Sequence, residues 1–285
     1  MSTNAIELHG VRKHFDGFDL QDITFALPKG CILGLVGENG AGKSTTIRLI
    51  MNAMARDGGE ITVLGCDNTD PAFRAVKEDI GVVLDEACFP SVLNAKQIGK
   101  TMAGIYARWD DALYQSYLKR FNLPEKKKVK DFSRGMKMKL AIAAALSHHP
   151  RLLILDEATS GLDPIVRDEI LEMFSEFTRN PDHSILISSH IVSDLEKLCD
   201  YIAFIHGGRL LFCEEKDALL EKYGVVTCTR DQLADLPEDA VVSIRTNEYG
   251  AQALVVKNAV SAAFAPERPL MEDIILFMVK GGNRA

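Results

Sequence analysis

The sequence Gly37-Glu38-Asn39-Gly40-Ala41-Gly42-Lys43-Ser44 fits the pattern G-x-x-x-x-G-K-[ST], directly after an apolar run and before a helical pattern. Its glycines allow positive φ angles and bring backbone N–H groups close to phosphate oxygens. A helix beginning here adds partial positive charge, Lys43 adds a full charge for the β- and γ-phosphates, and the Ser44 hydroxyl suits Mg²⁺. Thr45 is placed to contact the α-phosphate. The segment predicts a nucleotide-phosphate site, with a ligand-free glycine turn as the alternative.

Strand-like apolar runs alternate with helical patterns on both sides of this loop. Cys31–Val36, Leu152–Leu155 and Ile185–Ile187 are apolar on both faces, which is typical of central strands in a parallel sheet covered by helices. The alternation of strand and helix predicts an α/β fold. The other predicted strands are Ala5–His9, Asp22–Leu27, Glu60–Leu64, Ile80–Leu84 and Tyr201–Ile205, and the predicted helices are Lys43–Met54, Val166–Arg179 and Ser193–Leu198.

Two carboxylates, Asp156 and Glu157, end the apolar strand Leu152–Leu155. In an open α/β sheet, binding sites lie at the carboxyl ends of strands, and the phosphate loop also follows a strand end. Asp156 is therefore predicted to hold Mg²⁺, directly or through water. Glu157 is predicted to accept a proton from the attacking water. The alternative is a strand end capped by solvated acids.

Two segments break the alternation of strand and helix. Residues 89–147 are rich in helical pattern, and we interpret them as a helical subdomain inserted into the α/β core. Residues 216–285 contain short strand patterns and a closing helix, Met271–Lys280, which predicts a small α+β accessory domain. We therefore expect a main domain over residues 1–215 followed by this accessory domain.

Composition narrows the possible functions of the 285-residue chain. The net charge of −7 argues against a general nucleic-acid binder, because phosphate contacts need clustered Lys and Arg. The one dense basic run, Lys126–Lys130, is interpreted as a solvated turn. The longest apolar stretch, Leu140–Leu146, is too short for a membrane helix. Scattered cysteines and a first segment without a signal-peptide pattern predict a reduced, cytosolic chain.

Five short motifs, taken in order, resemble the ATP-binding cassette (ABC) family over residues 5–215. Besides the phosphate loop and the acid pair, they are Phe132-Ser133-Arg134-Gly135-Met136 at the place of the LSGGQ signature, Ser160-Gly161-Leu162-Asp163 at the Asp-loop, and Ser188-Ser189-His190 at the switch. The resemblance implies a P-loop NTPase core of mostly parallel sheet with an antiparallel β subdomain. It also implies ATP and Mg²⁺ as cofactors, and ATP hydrolysis as the activity. The absence of an NKxD motif argues against a GTPase.

The resemblance assigns further residues to the site. His190 would join Glu157 and Lys43 in catalysis by bridging the γ-phosphate and Glu157. Ser133 and Gly135 would bind the γ-phosphate of a nucleotide held by a second ATPase subunit, identical or different, and Asp163 is counted with the nucleotide contacts. The alternative for Ser133 is an N-cap that opens an ordinary helix. Phe15 occupies the position of the adenine-stacking aromatic, with a core or edge Phe as the alternative and Phe18 nearby.

Two residues depart from the family pattern. Asp85 stands where most members carry a glutamine, and it is either a Mg²⁺ ligand or a cap of its loop. Arg134 replaces a signature glycine and is free to pair with phosphate or ribose, with an acid across a dimer, or with solvent. These departures, with Trp109-Asp110-Asp111, resemble an exporter subgroup linked to cell-wall antibiotic and lantibiotic response.

Three functions remain open from the sequence. The first is the motor of a transporter, which powers transport, with export as the expected direction, through a separate membrane-spanning permease. The subunit would be cytoplasmic, peripheral on the inner face of the cell membrane through that permease, and without a nucleic-acid partner. The second is an ABC ATPase of DNA repair or translation, which usually has two cassettes, long coiled coils or basic arms, none of which is present here. The third is a regulatory ATPase that is not coupled to transport.

Overall fold

The structure is a computed structural model that describes residues 3–85, 89–247 and 250–280. It contains two compact units, which meet in the chain between Cys213 and Glu214. The strands are β1 Asn4–Phe15, β2 Phe18–Pro28, β3 Ile32–Val36, β4 Gly58–Val63, β5 Cys66–Asp67, β6 Ile80–Val83, β7 Leu152–Asp156, β8 Ser184–Ser189, β9 Tyr201–His206, β10 Arg209–Glu215, β11 Tyr223–Cys228, β12 Val241–Asn247 and β13 Gly250–Val256. The helices are α1 Lys43–Ile50, α2 Phe73–Val76, α3 Ala95–Ala103, α4 Asp111–Arg120, α5 Arg134–Leu146, α6 Pro164–Phe177, α7 Val192–Leu198, α8 Lys216–Lys222, α9 Arg230–Ala234 and α10 Met271–Lys280.

The first unit is organised around a sheet with the order β5-β4-β1-β2-β10-β9-β3-β8-β7-β6. The five strands from β9 to β6 are parallel to one another, and β3 lies between β8 and β9. Every residue of β3 and β7 is buried, because both faces of these strands are covered. Helix α1 packs against β7, α5 against β6 and α7 against β3. The predicted α/β fold with a mostly parallel sheet is confirmed.

The antiparallel part of the sheet is formed by β1, β2, β4 and β5. Strand β1 runs on to Phe15, beyond the predicted end at His9, and turns into β2 at Phe18. Only Val11 is buried in its second half, which is also interrupted by register shifts, so its apolar pattern is weak. Helix α1 ends at Ile50 instead of the predicted Met54, because Asn52 adopts a left-handed φ of 48°.

Helices α3, α4 and α5 lie within residues 89–147, the segment with the helical pattern. Each begins at a side chain that accepts a hydrogen bond from the backbone: Asn94 for α3, Asp110 for α4 and Ser133 for α5. Tyr114 of α4 is fully buried and donates a hydrogen bond to the Ala95 carbonyl at the start of α3 (2.9 Å). The three helix starts are therefore fixed by local capping, and α3 and α4 are held together by a buried tyrosine.

The second unit contains a three-stranded antiparallel sheet with the order β11-β13-β12. Helix α10 packs against β12, and the Ser243 hydroxyl donates to the Phe277 carbonyl (2.8 Å). The short helices α8 and α9 were not predicted, because they are too brief for a helical period to stand out.

No helix within the described ranges combines the length and apolarity needed to cross a bilayer. The described part of the chain also contains no disulfide bond. Cys88, which we also expected to be reduced, lies outside the described residues.

Candidate functional site

The phosphate loop connects β3 to α1 and is shaped by its glycines. A Cβ atom on Gly37 would lie 2.5 Å from the Ile205 carbonyl oxygen, too close for any side chain. Gly42 has φ 116°, in the region that favours glycine, and a Cβ there would meet Leu20 at 2.7 Å. No side chain caps the start of α1 at Gly42. The backbone N–H groups of this helix start are thus available to an anion.

Lys43 is buried, with 5% of its surface exposed. Its Nζ atom donates to the Gly37 carbonyl (2.7 Å) and the Glu38 carbonyl (3.3 Å). The same Nζ lies 3.1 Å from Glu157 Oε1, in an ion pair whose alignment is not that of a hydrogen bond. The loop therefore holds its lysine inward, against the carboxylate at the end of β7.

Both residues of the acid pair are buried, and one hydroxyl group contacts the carboxylate of the first and the backbone of the second. Ser188 on the neighbouring strand β8 donates through Oγ to Asp156 Oδ1 (2.6 Å) and accepts from the Glu157 N–H (3.1 Å). Glu157 has a left-handed φ of 52°, which is uncommon outside glycine and turns its side chain away from the strand direction. Ser188 thus orients both acids, a role that its place in the switch motif did not indicate.

The switch histidine completes this group. His190 Nδ1 lies 2.7 Å from Glu157 Oε2, while Lys43 faces the other oxygen. Glu157 therefore lies between the buried ammonium group of Lys43 and the ring of His190, a side chain that is 43% exposed. The structure brings together Lys43, Asp156, Glu157 and His190, which the sequence predicted separately.

A cavity of about 510 Å³ opens beside the phosphate loop. Phe15, Asp85 and Glu157 line it, together with Glu38, Asn39, Gly40, Gly42, Lys43, Ser44, Thr45, Phe18, Arg48 and Met54. The ring centroids of Phe15 and Phe18 are 6.3 Å apart, so both aromatic candidates border the same space. A long, partly apolar ligand with a polyanionic end matches this lining.

The predicted signature and Asp-loop residues lie elsewhere. Ser133 is exposed and caps α5 by accepting from the Met136 N–H (3.2 Å). Asp163 is also exposed and caps α6 by accepting from the Val166 N–H (3.1 Å). Gly135 lies against Val166, at 3.4 Å from where a Cβ would be. None of Ser133, Gly135 and Asp163 is among the residues that line the cavity.

Arg134 forms a contact that was not foreseen. Its Nη2 lies 2.7 Å from Asp85 Oδ1, and both side chains are about half exposed. Its guanidinium also lies against Gly161, where a Cβ would approach Nη1 to 2.9 Å. The acid that pairs with Arg134 in this structure therefore belongs to the same chain, and it is the cavity residue Asp85.

A second unforeseen contact joins the Asp-loop to the helix that follows the switch. Arg167 donates through Nη2 to the Leu162 carbonyl (3.2 Å), and its Nε lies 3.6 Å from Asp194 Oδ2. Asp194 is 5% exposed and stands four residues after His190, on α7. The sequence signal for this contact was Asp194, a carboxylate one helical turn after His190. Its partner, Arg167, lies on a different helix, so the spacing did not indicate the pair.

Comparison with known proteins places the chain in a family. The family model described as ABC transporter matches residues 20–160. The ABC transporter ATP-binding protein YtrB of Bacillus subtilis (strain 168) is 33% identical over 220 residues, which cover 76% of this chain and 74% of YtrB. The chain belongs to the ATP-binding subunits of ABC transporters.

Other relatives of this ABC subunit carry more specific names. The bacitracin transport ATP-binding protein BcrA of Bacillus licheniformis is 35% identical over 74% of this chain and 67% of its own. The Nod factor export ATP-binding protein I of Bradyrhizobium diazoefficiens is 36% identical over 78% of this chain and 74% of its own. A solved structure titled as an ATP-binding subunit of an ABC transporter superposes with a TM-score of 0.68 at 27% identity, over 75% of this chain and 91% of that one.

The residues present in this ABC subunit fit ATP. The glycine loop forms a cradle that a Cβ at Gly37 would fill, and the start of α1 is uncapped. Lys43 supplies a buried cation, and Phe15 and Phe18 line the same cavity. Like its family, the subunit is an ATPase, and Glu157 is the buried carboxylate nearest to Lys43.

Proposed function

We propose that this ABC subunit is the motor of an exporter whose membrane-spanning part is a different polypeptide. The observation that carries the proposal is the contrast between a catalytic group gathered around Lys43 and an exposed signature turn at Ser133 that does not reach the same cavity. A site with only one of these halves needs the other from a neighbour. The names of the relatives BcrA and Nod factor export protein I support transport, and the latter supports export.

The residues of the phosphate loop and the acid pair have proposed tasks in hydrolysis. Ser44 and Asp156 would hold Mg²⁺, with Asp85 as a further ligand, and the ion would neutralise phosphate charge. Lys43 exchanges its ion pair with Glu157 for phosphate oxygens. Glu157 then accepts the proton of the attacking water through its freed Oε1.

His190 and Phe15 have positioning tasks in the same proposal. His190 holds Glu157 through Nδ1 and turns its other ring nitrogen, which is not committed in that contact, toward the γ-phosphate side. Phe15 stacks on adenine, an aromatic contact that contributes about 0.5–1.5 kcal/mol beyond its buried area. The backbone of residues 37–45 binds the phosphates.

A second ATPase subunit completes each site. Ser133 and the Gly135 N–H would bind the γ-phosphate of the nucleotide held by the neighbour, at the start of α5. Asp163, in the Asp-loop, would lie close to the nucleotide held by the neighbouring subunit. Two subunits then enclose two ATP molecules, and an isolated subunit hydrolyses slowly.

The proposed location is the cytoplasmic face of the cell membrane, where the subunit is peripheral and attached through the permease. The helices of residues 89–147 would receive the permease. The second unit, from Glu214 onward, has no task in this proposal.

Affinity purification from membranes tests the proposal directly. The full chain, tagged and expressed in its own host, should co-purify with a multi-span membrane protein, and mass spectrometry should identify it. The ATPase rate per subunit should rise with protein concentration, because the site is shared. Recovery of the chain from the membrane-free fraction alone, with a rate that is independent of dilution, would remove both the permease and the dimer.

A further inference from the structure

The helical segment 89–147 differs in charge from the rest of the chain. It contains twelve Lys and Arg but only four Asp and Glu, a formal charge of +8 against −7 for the whole chain, so the rest of the chain carries −15. A segment with this excess of positive charge attracts negatively charged partners.

Six lysines of this segment are gathered by the backbone into one surface, which we call the lysine face. Lys128 forms a bridge with Asn94, and the Lys96 N–H donates to the Glu125 carbonyl (3.3 Å). Val129 donates in the same way to Leu93 (2.9 Å), so the start of α3 and the turn before α5 are joined. The lysine face consists of Lys96, Lys100, Lys126, Lys127, Lys128 and Lys130, of which Lys100 lies one turn after Lys96 on α3.

These lysines do not stabilise the fold through ion pairs. All six are exposed, and within the described residues none of their ammonium groups lies in an ion pair. Four other cations of the segment are paired: Arg108 with Asp79, Arg120 with Glu176, Arg134 with Asp85 and Lys139 with Glu169. Six uncompensated like charges on one surface repel one another, which a partner of opposite charge would relieve.

The type of cation indicates the type of partner. Specific protein interfaces are enriched in Arg, which pairs bidentately with carboxylates, and depleted in Lys. A lysine is a compact, hydrated point charge on a flexible stem, which suits a diffuse layer of negative charge. Exposed Val92, 63% accessible, stands next to the face, since Lys130 donates through its N–H to the Ser91 carbonyl (3.0 Å). Glu125 and Asp131 are the acids beside it.

We propose that the lysine face contacts the anionic lipid headgroups of the membrane surface. Screening confines the relevant charges to those within about 10 Å of the lipid at 0.1 M salt, so the nearby lysines outweigh the remote acidic groups. Val92 would reach the headgroup boundary beside them. This contact with lipid does not require a permease. The lipid proposal and the permease proposal can therefore be contradicted separately.

Vesicle flotation tests the lysine face with the full chain. Phosphatidylcholine vesicles, alone or with roughly one third phosphatidylglycerol, are mixed with wild type and with the triple variant Lys126→Gln, Lys127→Gln, Lys128→Gln at low salt. We expect wild type to bind the anionic vesicles only, with an affinity that falls as salt rises. The triple variant should bind about tenfold or more weakly.

The matched control removes the same charge elsewhere. Lys29→Gln, Lys197→Gln, Lys257→Gln replaces three exposed lysines outside the face and should leave vesicle binding within about twofold of wild type. Binding of a fluorescent ATP analogue reports that both triple variants are folded. Equal vesicle binding by both variants, or no preference of wild type for anionic vesicles, would overturn the proposal. Binding of a single-stranded oligonucleotide through the face without vesicle binding would overturn it as well and assign the face to nucleic acid.

Discussion

The two halves of the proposed ATP site are built differently. Around Glu157, the polar groups are already in contact: buried Lys43 on one oxygen, the partly exposed His190 on the other, and buried Ser188 on its backbone. Around Ser133, the groups are exposed, and the turn is held by the half-exposed ion pair between Arg134 and Asp85. Buried polar contacts are strong and costly to break, whereas exposed ion pairs contribute about 0–1 kcal/mol. The first half is organised before ATP arrives, and the second is free to adjust to a neighbour.

The difference separates what one subunit does alone from what two do together. In our proposal, ATP binding depends on the organised half, from the phosphate loop to Glu157, and hydrolysis also needs the exposed half of another subunit. Substitutions in the first half should therefore change ATP binding by an isolated subunit, whereas substitutions in the second half should change hydrolysis by the dimer.

Replacement of Glu157 by Gln should have the largest effect. The amide keeps the shape of the side chain but accepts no proton, so we expect the ATPase rate to fall about 100- to 10,000-fold while ATP binding is retained. With ATP bound, the variant should accumulate as a dimer in light scattering after gel filtration. Glu176→Gln, on the exposed face of α6, is the control and should hydrolyse ATP at about the wild-type rate. A monomeric, ATP-bound Glu157→Gln would contradict the shared site.

Ser188→Ala tests how far the organised half depends on one hydroxyl. We expect a loss of about 1–3 kcal/mol in the free energy of unfolding, because buried Asp156 loses its hydroxyl donor, while the Glu157 N–H keeps the Ser188 backbone carbonyl (3.2 Å). We also expect an ATPase rate about tenfold lower, corresponding to about 1.4 kcal/mol in the barrier.

Ser184→Ala is the matched control for Ser188. Ser184 is equally buried on β8, and its hydroxyl accepts from the Gly30 N–H (3.0 Å), away from the carboxylates. Its loss should cost similar stability, measured by urea unfolding, while the ATPase rate of the folded protein stays unchanged. Equal losses of rate in both variants would show that Ser188 acts only on the fold.

We expect the buried His148 to make the folded protein less stable at acid pH, which limits the pH range in which ATP binding and hydrolysis can be measured. Burial holds the pKa of His148 below its ordinary value of 6.5, and its ring is stacked on Tyr106. The unfolded chain therefore binds a proton more readily than the folded chain, so the contribution is complete above pH 6.5 and is lost as pH falls below it. The slope for one such group is at most about 1.4 kcal/mol per pH unit.

His148→Gln should flatten this dependence. Urea unfolding between neutral and mildly acidic pH measures it, with His9→Gln as the control because His9 is exposed. Wild type and His9→Gln should share the steeper slope. If His148→Gln follows the same slope as wild type, then the acid sensitivity of the fold has another origin.

The smallest effect is expected at the exposed half. A double-mutant cycle with Asp85→Asn and Arg134→Gln should give a coupling energy below about 1 kcal/mol in unfolding experiments, since both groups are half exposed. Asp85→Asn should also raise the Mg²⁺ concentration needed for ATP hydrolysis. An unchanged Mg²⁺ titration would remove Asp85 as a ligand and leave it as the partner of Arg134.

The parts that the sequence predicted well are those in which local pattern and burial agree. The parallel strands β3, β7 and β8 are apolar on both faces, and α10 has the predicted ends, Met271 and Lys280. The phosphate loop was recognisable because its backbone requires glycine: Gly42 has a positive φ angle, and a Cβ at Gly37 would clash with the Ile205 carbonyl.

The parts that were missed depend on distant contacts. Arg134 and Asp85 are 49 residues apart and lie on exposed turns, where neither periodicity nor hydrophobicity indicates a partner. Ser188 stands in an apolar strand, and its two bonds depend on the alignment of β8 with β7. The second half of β1 was missed because only Val11 is buried there, so no apolar alternation marks the strand.

The ion pair between Lys43 and Glu157 has a consequence for which molecules enter the site. A cation that is already neutralised by a buried carboxylate offers little attraction to a singly charged anion such as chloride. Only a ligand with dense negative charge, such as a triphosphate, competes with the glutamate for the lysine. We therefore expect Glu157, the proposed acceptor of the proton, also to disfavour weakly charged ligands such as nucleosides, because their binding does not compensate the loss of its ion pair with Lys43.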